Sequence, residues 1–363
     1  MFQIIRENCS QTVALWRCFS RSMLLAAVSV FGAGAGYALE PDIEVALRQL
    51  NQQFSTEVII PGYQAVDIQM DSLVQTAQLF EAEPTEANLA AVRTAWLEAM
   101  SSWASSNAVA FGPVHSLGYS TALEFPADEA GIDALLANTA ETEDFDVALL
   151  LPSLQGFEAM AYLLGTEDSK SAADFSTQER RYLSALAIRA DAVAADILKV
   201  WQAGWNNNPA YGTLLSTAGS PDNHVYLSVE AGSEEIIRSI INSLDVVAAE
   251  ELPHILEVSE LMAESPDAVT LKLLTGSLRG IQSAYLGTAD EAVDEKATGV
   301  SDLVAIANPA VDEQIKTSLA IALTGIAQAI ADPSDITPLT QAQLSLDIAF
   351  NLLETEVLPL VQN

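Results

Sequence analysis

The stretch AVRTAWLEAMSSWASSNAVAFGPV, residues 91–114, reads as one amphipathic helix followed by its stop. Apolar residues recur at three- and four-residue spacing, Trp96 and Trp103 share the apolar stripe, and Gly112-Pro113 ends the run. The rest of the chain repeats this pattern. Helices are expected over 42–80 with an interruption at Pro61-Gly62, then from about Thr85 to Phe111, 129–136, 152–164 and 177–205. Further ones are expected over 233–251, 268–286, 309–331 and 340–358. Ser176 or Thr177 ahead of Glu179 has the form of a capping box. Residues 114–126 carry no helical stripe and are expected as a loop folded over the bundle.

Strand-like alternation is scarce, so the fold class is all-α, built from packed helical bundles. The segment 206–225, rich in Asn, Gly, Ser and Pro, is the expected joint between two halves, 39–205 and 226–363. One internal echo supports two halves related by duplication. Ser153-Leu154-Gln155-Gly156-Phe157-Glu158 compares with Ser277-Leu278-Arg279-Gly280-Ile281-Gln282, and Ala-Tyr-Leu and Gly-Thr follow both.

Half of the 363 residues are hydrophobic, enough for a sizeable core, and the formal charge is −34 at pH 7. Such a surface repels phosphate backbones and excludes nucleic acid as a partner. It keeps the chain solvated and is compatible with attraction of cations.

The start has a different character. Arg6, Arg17 and Arg21 precede the uncharged run MLLAAVSVFGAGAGYA, residues 23–38, which ends in small residues. This is the pattern of a signal peptide over 1–38, cleaved after Ala38 or, alternatively, Ala35, with an uncleaved anchor as the other reading. Cys9 and Cys18 both precede the apolar run, so the processed chain has no thiol chemistry and no disulfide. No later stretch is long enough to span a membrane; Thr317–Ala331 comes nearest. The product is expected in the periplasm or cell envelope.

The chemistry concentrates in LPSLQGFEAMAYLLGTE, residues 151–167. This stretch and 91–114 together resemble the two signatures of the imelysin-like family, which includes the M75 peptidases and the iron-regulated protein A group. The second signature there is a Gly-x-His-x-x-Glu helix. Here Gly156 is kept, Glu158 stands at the His position and Ala161 at the Glu position, while Asn107 stands where the first signature often has an acidic residue. The resemblance, carried over 42–360, implies an all-α fold with a ligand or metal site between its halves. It implies iron, or another divalent or trivalent cation, as the ligand.

The departures weaken any peptidase reading. A His and a Glu at i and i+3 share a helix face and can converge on one ion, but Ala161 has no ligand atom. A zinc peptidase needs about three protein ligands, a water and a base. His115, His224 and His254 form no HExxH spacing, and no Gly-x-Ser-x-Gly elbow occurs. Three readings of Glu158 stay open: a replacement oxygen ligand beside Asn107 and His115, an ion pair with Arg93 or Arg279, or a solvated surface residue.

Tyr162 and Tyr285 are candidate crevice residues, with packing as the alternative. Trp96, Trp103 and Trp201 read as core, His224 as a loop residue, and the acidic runs at 81–83, 141–144 and 290–291 as solvated turns. The expected site therefore comprises Asn107, His115, Gly156, Glu158, Tyr162 and Arg279, with Glu158 as the metal ligand. The expected function is binding of a metal or metal-bearing ligand. An M75-type metallopeptidase with an altered site, or a scaffold contacting envelope proteins, are the alternatives.

Overall fold

A computed structural model of the chain describes residues 41–140, 144–165, 170–262, 264–288 and 298–362. The expected signal peptide and the acidic residues Glu141, Glu143, Asp290 and Glu291 lie outside the described residues. Among the described residues there are helices and turns and no strand.

Helix α1 (Pro41–Phe54) runs through a π-helical turn (Ser55–Ile59) into α2 (Ile60–Ala82). The expected interruption at Pro61-Gly62 does not occur. Pro61 falls in the first turn after the widened π segment, where its ring and its missing N–H disturb no helical hydrogen bond. Helix α3 (Glu86–Ser106) is capped by the Thr85 hydroxyl, which accepts from the Asn88 N–H at 3.2 Å, and closes in a 3-10 turn at Asn107–Val109.

Residues 114–126 are not the expected loop. They hold most of α4 (Pro113–Ser116) and all of α5 (Tyr119–Glu124), both too short to display a stripe. Burial of Val114 and Leu123 against the bundle supplies what local propensity lacks. Next come α6 (Glu129–Asn138), α7 (Gly156–Leu164) and α8 (Thr177–Gln202). The capping box forms: Ser176 Oγ accepts from the Glu179 N–H at 3.1 Å, and Glu179 accepts from the Ser176 N–H at 2.7 Å.

The segment 206–225 contains α9 (Tyr211–Ser216), which packs on α1 and α8. Helix α10 (Val229–Val246) passes through a second π turn (Val247–Glu251) into α11 (Leu252–Met262). Then follow α12 (Ala268–Leu286), α13 (Val300–Ala307), α14 (Pro309–Ala331) and α15 (Thr337–Leu352), the last ending in a third π turn (Leu353–Val357). Helices α12 and α14 match the sequence expectation residue for residue. Asp267 caps α12 at 2.8 Å, Gly287 ends it in the left-handed region, and Pro309 opens α14.

The packing forms a series. Helix α8 lies on α2, α2 on α3, α3 on α12, α12 on α14, and α14 on α15. At the centre the backbones of α3 and α12 nearly touch. A Cβ on Gly276 would lie 2.5 Å from the Ser101 carbonyl oxygen, and one on Gly280 only 1.8 Å from that of Ser105. The four-residue pitch on both helices is the ridge pattern that helix packing uses. Beside this seam, buried Asp312 accepts from Tyr285 Oη at 2.9 Å and Ser301 Oγ at 2.7 Å and pairs with Lys316 at 2.9 Å. Tyr285 thus belongs to a buried network.

Candidate functional site

Helix α7 opens at Gly156 with φ +76°. Its missing side chain leaves room for the end of α5, because a Cβ there would lie 2.3 Å from the Leu123 carbonyl oxygen. This contact brings Glu158, in the first turn of α7, near Glu124, the last residue of α5. Asn107, in the 3-10 turn after α3, donates from Nδ2 to Glu124 Oε1 at 3.4 Å. The second π turn adds Glu251 with Glu250 beside it. A π turn shifts the register of a helix and re-aims the side chains that follow, and such turns recur at functional sites.

Loss of hydration pushes the Glu124 carboxyl above its ordinary value. Trp103, Asn107 and His115 pull it back, and the Glu158 charge raises it further. Glu251 is raised in the same way, by loss of hydration and then by Glu124 and Glu250. Glu124 and Glu251 both reach solvent, yet protein crowds them enough to strip much of their hydration. Carboxylates exposed to water yet crowded by neighbouring protein form a shallow acidic recess at the surface. Trp103 is 1% exposed, and its Nε1–H makes no hydrogen bond of ordinary geometry. It lies close enough to Glu124 to help hold the carboxylate charged.

A second polar group adjoins the recess through His115, whose charge acts on both Glu124 and Glu235. Glu235, on α10, accepts from Tyr226 Oη, which also lies 3.0 Å from Tyr211 Oη. Gly112 adopts φ +56° and presses on the Tyr211 ring, which a Cβ would meet at 2.4 Å, and its N–H helps hold the Glu235 charge. The glycine of the Gly-Pro pair expected to stop α3 therefore also packs against this group.

Of the residues expected at the site, Asn107, His115, Gly156 and Glu158 meet around Glu124. Tyr162 does not join them. It donates to Asp133 Oδ1 at 2.8 Å, and its hydroxyl is pushed up to about 12 by burial and by Asp133. The Arg93 guanidinium donates to the Leu164 carbonyl at 2.7 and 3.2 Å and to that of Lys170 at 2.8 Å, closing α7. Arg279 is exposed on α12. His224 is exposed in its turn, and Trp96 donates to the Phe157 carbonyl at 3.2 Å. Glu124, Glu251, Glu235, Tyr211 and Tyr226 were not apparent from the sequence. The one signal was Glu124 itself, a carboxylate framed by Leu123 and Phe125.

The donor set can be tested against a metal. Among the described residues no three His, Cys, Asp or Glu side chains are disposed to hold an ion. Glu124, Glu158 and Glu251 lie near enough to act on one another's charge without being disposed as ligands of one ion. They fit a hydrated cation or a cationic group, and they do not fit the three-ligand centre of a zinc peptidase. The cavity of about 80 Å³ lined by Ser102, Ser105, Ser106 and Gly280 between α3 and α12 has room for only a few waters.

A motif helix docked by a glycine against an acidic recess, within an all-helical fold, defines a class that comparison makes specific. The profile of the imelysin family, peptidase M75, matches residues 59–351, and the chain belongs to that family. It is 29% identical over 330 residues to iron-regulated protein A of Synechococcus elongatus, with 87% of each chain covered. Its fold matches that of an iron-regulated protein A precursor from Parabacteroides distasonis, with TM-score 0.70, 18% identity and coverage of 89% of this chain and 96% of that one. It also matches an imelysin-like protein from Psychrobacter arcticum, with TM-score 0.67, 18% identity and coverage of 90% and 98%. No helix of the described residues is long and apolar enough to cross a membrane.

Proposed function

We propose that this protein is exported to the cell envelope and binds a hydrated cation, or a small ligand carrying one, in the recess of Glu124, Glu158 and Glu251. Asn107 and His115 stand at its rim. One observation carries the reading: the contact of Gly156 with the Leu123 carbonyl sets Glu158 close to Glu124, whose carboxylate also accepts from Asn107 at 3.4 Å. Carboxylates held together against their repulsion are relieved when a cation arrives. The chain's formal charge of −34 draws cations toward the recess. The basic start, the apolar run and the small residues at 36–38 support export. The iron-regulated relative makes iron the first cation to try. The M75 name implies peptide hydrolysis, but Ala161 offers no ligand atom at the position where that chemistry needs one.

The test is calorimetric titration of the purified protein with ferrous, zinc and calcium ions, repeated on Glu124→Gln and Glu251→Gln. One-to-one binding with proton release, weakened about tenfold or more in each variant, is the expected result; a loss of ~1.4 kcal/mol corresponds to that factor. Binding that is absent, or equal in all three proteins, would sink the proposal. Cleavage of peptides by the metal-loaded protein would revive the peptidase reading.

A further inference from the structure

The series of packed helices ends in the hairpin of α14 and α15. Its arms meet at Gly325, where a Cβ would lie 2.5 Å from the Pro338 carbonyl oxygen and 3.3 Å from the Ala342 side chain. One side of each helix is buried in the bundle and the other faces water. Within two turns of this contact, on the side away from the hairpin tip, Ile321, Leu344 and Ile348 are 45%, 60% and 43% exposed. We propose that the outer face of the α14–α15 hairpin is a dimer interface whose partner is the same face of a second copy of this chain.

Exposure follows helical periodicity on both arms. On α14 the exposed positions Ala320, Ile321, Thr324 and Ala327 recur at three- and four-residue spacing, while Leu319, Ala322 and Ile326 between them are buried. Leu344 and Ile348 stand one turn apart on α15. Large side chains thus stand among small ones, the relief that lets facing helices interdigitate. Closing two hairpins on each other about a two-fold axis sets the aliphatic side chains of each copy against the small residues of the other, in a four-helix arrangement. The size also fits. The 23 residues of α14 span about 34 Å and two helices side by side about 20 Å, a face of roughly 700 Å². A stable dimer buries about 800 Å² on each partner.

Charge identifies the partner. With a formal charge of −34, two copies repel wherever their acidic surfaces approach. Over 317–346 the only charged residues are Asp332 and Asp335, both in the turn at the tip, although 18% of the whole chain is charged. Asp347 is the only charge on α15. Thr317–Ala331 is the uncharged run that comes nearest to a membrane span, yet one side of it faces water. A basic partner finds no counter-charge on this face and is drawn to the acidic surfaces instead. A second neutral face can meet it without stripping water from a charge. The repulsion between the rest of the two molecules remains, so salt should strengthen the dimer.

Sedimentation equilibrium of the purified protein in about 0.1 M and about 1 M sodium chloride provides the test, since the Debye length falls from about 10 to about 3 Å between them. A monomer–dimer equilibrium with a Kd on the order of 10 μM is expected. It should tighten about threefold or more at the higher salt, where a contact held by ion pairs would weaken. Ile321→Glu and Leu344→Glu should each weaken the dimer about tenfold or more, with circular dichroism showing each variant folded. If either fails to fold, Thr324→Glu, at a small exposed position, takes its place. Leu149→Glu, at a leucine 82% exposed in the 3-10 turn Val147–Leu149, should change nothing. A protein still monomeric at about ten times that Kd in both salts overturns the proposal. So does a dimer that survives both substitutions. Co-sedimentation of the monomer with phosphatidylcholine vesicles, lost in Leu344→Glu, would assign the face to lipid and overturn it as well.

Discussion

A Cβ placed on Gly156 would lie 2.3 Å from the carbonyl oxygen of Leu123, and this contact sets the distance between Glu158 and Glu124. A non-glycine residue at φ +76° costs about 1–2 kcal/mol, and pushing the two backbones apart adds about 1–3 kcal/mol. Gly156→Ala is expected to lower unfolding stability by about 2–5 kcal/mol in a urea titration, and to weaken cation binding beyond what Glu158→Gln does. A stability change within about 0.5 kcal/mol, the range of an ordinary surface substitution, would show that α5 and α7 do not touch this way.

The seam between α3 and α12 invites a paired substitution. A Cβ on Gly280 would meet the Ser105 carbonyl oxygen at 1.8 Å, whereas one on Gly62 meets nothing within 4 Å. Both glycines lie inside helices. Gly62→Ala should stabilise by about 0.5–1 kcal/mol, because alanine loses less backbone freedom on folding. Gly280→Ala should destabilise by about 3 kcal/mol or more, since rigid backbone and not a flexible side chain must move. Chemical denaturation of the two variants measures both signs. If both stabilise, the helices lie farther apart than described here.

Stability should depend on pH with a sign set by the recess. Glu124, Glu235 and Glu251 are all raised in the folded state from an unfolded value of 4.5. Their contribution is fully present below 4.5 and is lost as pH rises through the folded values. Glu179 and Glu234 are lowered, by Lys170 and Ser176 and by Arg238 respectively, so they contribute above 4.5 and lose that contribution only on the acid side. The melting temperature should therefore rise as pH falls from about 7 toward about 5, and drop again at lower pH. Glu124→Gln and Glu251→Gln should each raise the melting temperature at neutral pH and flatten the slope above about pH 5. An unchanged slope in both variants would place the two carboxylates in open solvent.

Much of the helical framework was legible because its signals are local. Asp267 and Gly287 bound α12, Pro309 opens α14, and Ser176 with Glu179 starts α8; each lies within a few residues of the boundary it sets. Local signals also misled. Pro61-Gly62 looks like a break because a π turn has no sequence signature that would announce the wider backbone ahead of the proline. Residues 114–126 look like a loop because α4 and α5 are too short for periodicity to register.

The two polar groups show the division most clearly. By itself the sequence determined an all-helical, acidic chain with a motif helix that has Glu158 and Ala161 where its family has His and Glu. Which residues stand near Glu158 was decided only in three dimensions. Glu251 arrives through a π turn far along the chain, Tyr226 and Glu235 through a turn pinned by Asn223, and Arg93 binds the carbonyls of Leu164 and Lys170. Helix caps and apolar stripes act over a few bonds and can be read along the chain. Desolvation, charge repulsion and hydrogen bonding between distant residues depend on distances in space, and these arise only when the helices pack.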